Sequence, residues 1–167
     1  MTRQSVIVAL GANLGEPVRQ LRAAVTALEA LADGPVCCSS FWESTPVDCP
    51  PGSPRFVNAI ACFVPQPGET PESLLAKFKM MESEAGRRPK QVLNEARPLD
   101  IDLIAWGAER RATDTLVLPH PRAHLREFVL RPLAELLPDL VLPCQIRTVE
   151  QLLGTLVPDP AFRRVQD

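Results

Sequence analysis

The chain has 167 residues, a net charge of −2 and an apolar fraction of 46%. That suits one globular domain over residues 1–167 with a core of its own, and it offers no general field to draw in nucleic acid or an anionic membrane. No apolar run nears the roughly 20 residues of a membrane helix, and no leader pattern precedes the first apolar run, so a cytoplasmic protein is expected.

Residues 5–10, SVIVAL, read as a buried strand, and GANLG (11–15) as the tight turn after it. Pro17 suits the first turn of a helix reaching about residue 31, since its missing N–H costs nothing there. Val18, Leu21, Val25 and Leu28 give that helix one apolar stripe. Residues 36–43 and 56–64 are β-like, joined by a loop rich in proline, STPVDCPPGSPR (44–55). A second helix is expected over about 71–85, with Leu74, Leu75, Phe78 and Met81 inward and Gly86 as its stop. An Arg- and Pro-containing loop (87–98) leads into a strand, RPLDIDLIAW (97–106). Extended chain at 117–120 and short helices near 128–137 and 149–153 complete the pattern.

Strand, helix, strand, strand, helix, strand is the order of ferredoxin-like domains. The expectation is an α+β fold: an antiparallel sheet with both main helices packed on one face and an extended C-terminal tail. The other face is then left for a site or for the tail. Loops of the size of 44–55 and 86–98 often serve as lids over a site.

Within 97–106, side chains two apart share a face, so Asp100 and Asp102 project together with Arg97 just ahead. Paired carboxylates repel unless they sit in solvent on an edge strand or a cation lies between them. Mg²⁺ is the cation for such a pair, because it takes hard oxygen ligands and bridges carboxylates to phosphates. Arg87, Arg88, Lys90 and Arg97 form a basic run before the aspartates. It is either a solvated loop or a polyphosphate site, where guanidinium groups make forked hydrogen bonds. LVLPHPRAHLREF (116–128) holds both histidines with Arg122, Arg126 and Phe128, and His120 with Arg126 is a second set of candidate phosphate donors. Phe56 and Asn58 alternate on one strand face: a ring to stack a flat heterocycle and an amide to read its edge, or a core aromatic beside a capping Asn. The five cysteines lack CxxC or zinc spacing and are expected to be reduced, mostly buried thiols.

Together these segments resemble the 6-hydroxymethyl-7,8-dihydropterin pyrophosphokinase family of the folate pathway. VALGANLG is similar to that family's IAxGSNLG, and SSFWESTP with FVNAIACF to its pterin-side segments. ESEAGRR followed by RPLDIDLIAWG resembles its E–GR–RxxDxDxxxxG signature, and LPHPRAHLREFVLRPLAEL its PHxxxxxRxFVLxPL–E segment. The resemblance implies transfer of pyrophosphate from ATP to the hydroxymethyl group of the pterin, by a monomer needing neither nucleic acid nor membrane. Asp100 and Asp102 would bind two Mg²⁺ ions and, with Arg87 and Arg97, carry the chemistry. Thr45, Pro46, Val47, Phe56, Asn58 and Phe128 would hold the pterin. Glu82, Arg87, Arg97, His120 and Arg126 would hold the nucleotide. The chain departs from the family in having Asn94-Glu95-Ala96 where Trp-Gly-Pro is usual, Pro89 in place of a second basic residue, and Phe56 where Tyr is frequent. The alternative is a catalytically weak relative that binds pterin or nucleotide with little turnover.

Overall fold

The computed structural model describes residues 5–47, 49–86 and 96–166. In chain order these form β1 (Val6–Ala12), α1 (Pro17–Glu29), β2 (Cys37–Cys38), β3 (Trp42–Ser44), β4 (Phe56–Phe63), α2 (Pro71–Glu84) and β5 (Asp100–Trp106). Then come β6 (Arg111–Ala112), β7 (Val117–Leu118), a 3-10 turn (Ala123–Leu125), α3 (Glu127–Leu136), α4 (Val149–Leu153) and β8 (Arg163–Arg164). The main sheet runs β5-β1-β4-β3-β8, with β2 also on β4, and every pairing in it is antiparallel. This is the α+β ferredoxin-like plan expected from the chain order.

β1 is central because it is apolar on both faces, and each face closes a different core. Val6, Val8, Leu10 and Ala12 meet Leu21, Ala24 and Leu28 of α1 and Leu74 and Phe78 of α2. Ile7, with Ile60 and Ile104 from its neighbours, meets Val129, Leu130 and Leu133 of α3 and Val149 and Leu152 of α4. The two main helices therefore share one face, and the C-terminal helices cover only part of the other. Two capping boxes set helix starts: Thr70 with Ser73 for α2, and Thr148 with Gln151 for α4.

Three local expectations change. The run 36–43 is two strands, because the Ser39 hydroxyl takes the N–H of Ile60 (2.9 Å) where a ladder carbonyl would have served. Gly11 and Ala12 belong to β1 and not to a turn; the turn comes at Gly15, where φ is 70°. The cysteines are free but not mostly buried. Cys37 is exposed on the short strand β2, and Cys144 is exposed in the connection from α3 to α4. Among the described residues no helix is long and apolar enough to cross a membrane.

Candidate active site

Where α3 and α4 stop covering the sheet, a cavity of about 480 Å³ begins. Its floor is one face of three strands. Gly11 lies between Asp100 on β5 and Asn58 on β4, and Ala9 between Asp102 and Ile60. Directly opposed residues share a face, so the small residues of β1 leave room beside both carboxylates and the amide. A Cβ on Gly11 would lie 3.4 Å from Asn58 Oδ1 and 3.9 Å from the Phe56 ring.

The expected residues converge on this cavity. Thr45, Val47, Phe56, Asn58, Glu82, Arg97, Asp100, Asp102, His120, Arg126 and Phe128 all line it. Pro46 is absent from the lining, although both its chain neighbours contribute. Arg87 lies outside the described residues, as do Arg88, Pro89, Lys90, Asn94 and Glu95.

The electrostatics suit an anion. Arg97 pairs with Asp100 at 3.0 Å, and its guanidinium carbon stands 5.7 Å from the centre of the Phe56 ring. Among the described residues its buried Nε has no hydrogen-bond partner, a costly position for a cation unless an acceptor completes it. Arg126 lies over the Phe128 ring at 5.2 Å. His120 is pushed down to about 4, first by burial, then by Arg126 and Arg122, so it is neutral at pH 7. Its Nδ1 accepts the N–H of Arg122 (3.2 Å), which places the ring proton on Nε2 as a donor.

Two polar side chains do structural work beside the cavity. β5 is an edge strand, and Glu82 Oε1 accepts the outward N–H of Ile101 (2.8 Å), tying α2 to that edge. Asn13, buried just after β1, accepts the N–H of Arg97 through Oδ1 (2.8 Å) and donates Nδ2 to the Pro54 carbonyl (3.2 Å). Its own N–H bonds to the Arg97 carbonyl (3.1 Å). Asn13 thus positions Arg97 and the approach to Phe56 together. Asn58 is held by donating Nδ2 to Ser44 Oγ (2.8 Å).

Sequence reasoning missed Gly11, Asn13, Ser44, Leu75 and Lys79, and left Arg122 without a role. Leu75, Lys79 and Glu82 are spaced i, i+4, i+7, so one face of α2 brings all three to the cavity. That spacing was the available signal for Lys79. Nothing in the sequence announced that Gly11 faces Asn58.

The chemistry of the donor set fits Mg²⁺. Asp100 and Asp102 present hard carboxylate oxygens on one face of β5, beside the smallest floor residues. The described residues hold no cluster of three or more His, Cys, Asp or Glu side chains for a metal. A cation held by two carboxylates and substrate oxygens needs no such cluster.

Comparison with known proteins agrees with this geometry. The model of the family 7,8-dihydro-6-hydroxymethylpterin-pyrophosphokinase matches residues 7–138. The 2-amino-4-hydroxy-6-hydroxymethyldihydropteridine pyrophosphokinase of Haemophilus influenzae is 40% identical over 137 residues, 81% of this chain and 83% of that protein. The protein of the same name from Pseudomonas aeruginosa is 39% identical over 163 residues, 90% of this chain and 98% of its own. A crystal structure of HPPK-DHPS in complex with substrates superposes with a TM-score of 0.72 at 11% identity, covering 90% of this chain and 43% of that longer one. Plasmodium falciparum HPPK-DHPS with pteroate gives 0.68 at 13% identity, covering 90% of this chain and 42% of that one, a likeness of fold. The chain belongs to the 7,8-dihydro-6-hydroxymethylpterin-pyrophosphokinase family.

Proposed function

We propose that this chain transfers the terminal pyrophosphoryl group of ATP to the hydroxymethyl group of 6-hydroxymethyl-7,8-dihydropterin, giving AMP and the pterin diphosphate for folate biosynthesis. One observation supports the reading most. A single cavity collects paired carboxylates, several cations and two aromatic rings with an amide, from segments far apart in the chain.

In this reading Phe56 and Phe128 enclose the pterin ring and Asn58 bonds its edge, with Thr45, Pro46 and Val47 beside it. Arg97 completes its buried Nε on a phosphate oxygen, and Arg126 and the neutral His120 add donors. Arg87 contributes from the adjoining loop, and Glu82 and Lys79 stand on the nucleotide side. Asp100 and Asp102 hold two Mg²⁺ ions, whose chemistry is to neutralise and orient the phosphates. The hydroxyl oxygen attacks the β-phosphorus and gives up its proton to solvent, the bond between the α,β-bridging oxygen and the β-phosphorus breaks, and AMP leaves. Such a transfer is governed by alignment and by neutralisation of spreading charge. The working form proposed is a monomer that takes its substrates and metal in the cytoplasm.

The test is AMP release from ATP and Mg²⁺, with and without the pterin, by purified protein. Pterin-dependent AMP together with the pterin diphosphate supports the reading. A folded protein that binds both substrates and releases no AMP refutes it.

A further inference from the structure

The chain beyond the family-matched segment returns to the site. Arg163 and Arg164 pair as β8 with Glu43 and Trp42 on the outer side of β3, and the N–H of Val165 bonds to the Phe41 carbonyl (2.8 Å). Phe162 stacks on Trp42 with ring centres 5.4 Å apart and also lies 5.4 Å from the Arg131 guanidinium of α3. Arg163 bonds to Glu43 (2.6 Å) and Arg164 to Glu135 of α3 (2.7 Å). This strap is thus fastened to both β3 and α3.

At its head stands Asp159. One carboxylate oxygen accepts the N–H of Thr45 (3.1 Å) and the Thr45 hydroxyl (2.7 Å), and the other accepts the N–H of Ala161 (2.9 Å). The N–H of Asp159 donates to Glu127 Oε2 (2.7 Å), and Glu127 is gripped in turn by Arg131. Thr45 lines the cavity from the loop after β3, and Phe128, next to Glu127, lines it from α3. One residue therefore links two walls of the ring end, through its carboxylate to Thr45 and through its own N–H to Glu127. Charge-assisted hydrogen bonds of this kind are the stronger ones, and those from Thr45 hold the Asp159 carboxyl below the usual range. Glu82, Arg97 and His120 hang on α2, the approach to β5 and the chain after β7, where they bond to Ile101, Asn13 and Arg122.

We infer that Asp159 is a positioning residue for the pterin: it locks the Thr45 loop against α3, so pterin affinity depends on the C-terminal strap while nucleotide affinity does not. The inference rests on the ring-binding roles proposed above for Thr45 and Phe128. A strap serving only stability would shift the melting temperature and move both KM values alike.

The experiment compares the full chain with Asp159→Ala, Asp159→Asn and Thr45→Val, measuring kcat and separate KM values for pterin and ATP, with thermal melting alongside. Asp159→Ala is expected to raise the pterin KM about tenfold, the loss of one charge-assisted pair of bonds, and to leave the ATP KM within about twofold. Asp159→Asn keeps one acceptor and recovers part of the affinity. Thr45→Val keeps its N–H bond and loses less than Asp159→Ala, and the double variant is no worse than Asp159→Ala alone. A folded Asp159→Ala with unchanged pterin KM, or with both KM values rising together, overturns the inference. If Asp159→Ala does not fold, unchanged pterin KM in the other two variants overturns it. Wild-type protein without pterin-dependent AMP refutes the proposed function itself and the inference with it, an outcome separable from any variant ratio.

Discussion

Gly11→Ala should move stability and substrate binding in opposite directions. Gly11 is not among the glycines with positive φ, so alanine can adopt its strand conformation without backbone strain. The added methyl would meet Asn58 Oδ1 at 3.4 Å and the Phe56 ring at 3.9 Å, which are ordinary van der Waals contacts. Removing a glycine from the unfolded chain at a compatible site stabilises by about 0.5 kcal/mol, so the melting temperature should rise by roughly 1–2 °C. The same methyl stands on the cavity floor between Asp100 and Asn58. A flat ring stacked on Phe56 and bonded to Asn58 needs that space, and Asn58 is held to Ser44. Overpacking of this kind costs about 1–3 kcal/mol, so pterin affinity should fall roughly tenfold or more. Thermal melting and a pterin titration followed by fluorescence or calorimetry read the two effects separately. A variant that melts higher yet binds pterin within about twofold of wild type would show that the ring does not lie over Gly11.

Asp102→Asn should abolish Mg²⁺-supported AMP formation with the melting temperature little changed, and a near-normal rate would remove the metal assignment. Asn13→Ala deletes two side-chain hydrogen bonds at a buried position and should destabilise by about 2–3 kcal/mol in denaturant melts, with kcat falling because Arg97 loses one of its two backbone ties to residue 13. His120 titrates at about 4 in the fold against an ordinary 6.5. The unfolded chain therefore binds more protons between those values, and its share of stability is lost as pH falls from about 6.5 towards about 4. His120→Gln should flatten that part of the stability–pH curve, and an unchanged slope would place the acid sensitivity elsewhere.

What could be read from the sequence was whatever depends on local period. Alternation alone placed Asp100 beside Asp102 and Phe56 beside Asn58, and the order of elements gave the sheet and the face taken by α1 and α2. Long-range register was not legible. Gly11 faces both Asn58 and Asp100 only because β1 pairs with β4 and β5 in one particular alignment. Local reading made it part of a turn. Lys79 enters the site through the docking of α2 on the β5 edge, which Glu82 secures with a hydrogen bond to Ile101. Ser39 broke an apparently continuous strand by a side-chain bond that propensity does not describe. The role of Asp159 depends on a return of the chain across more than a hundred residues.

The sheet face that carries the site changes its occupation along the length of its strands. At one end Ile7, Ile60 and Ile104 are covered by α3 and α4; a few residues further, the same strands present Gly11, Asn58 and the two aspartates to the cavity. α3 spans that boundary, giving Phe128 to the cavity and Val129, Leu130 and Leu133 to the core. Moving α3 to admit a wider ring would uncover the isoleucines, and each large apolar side chain so exposed costs about 1.5–3 kcal/mol. Adaptation to a different heterocycle must therefore come through the loops and the floor residues. With the pterin placed as proposed, the breadth of its slot is set by the same packing that holds the protein folded.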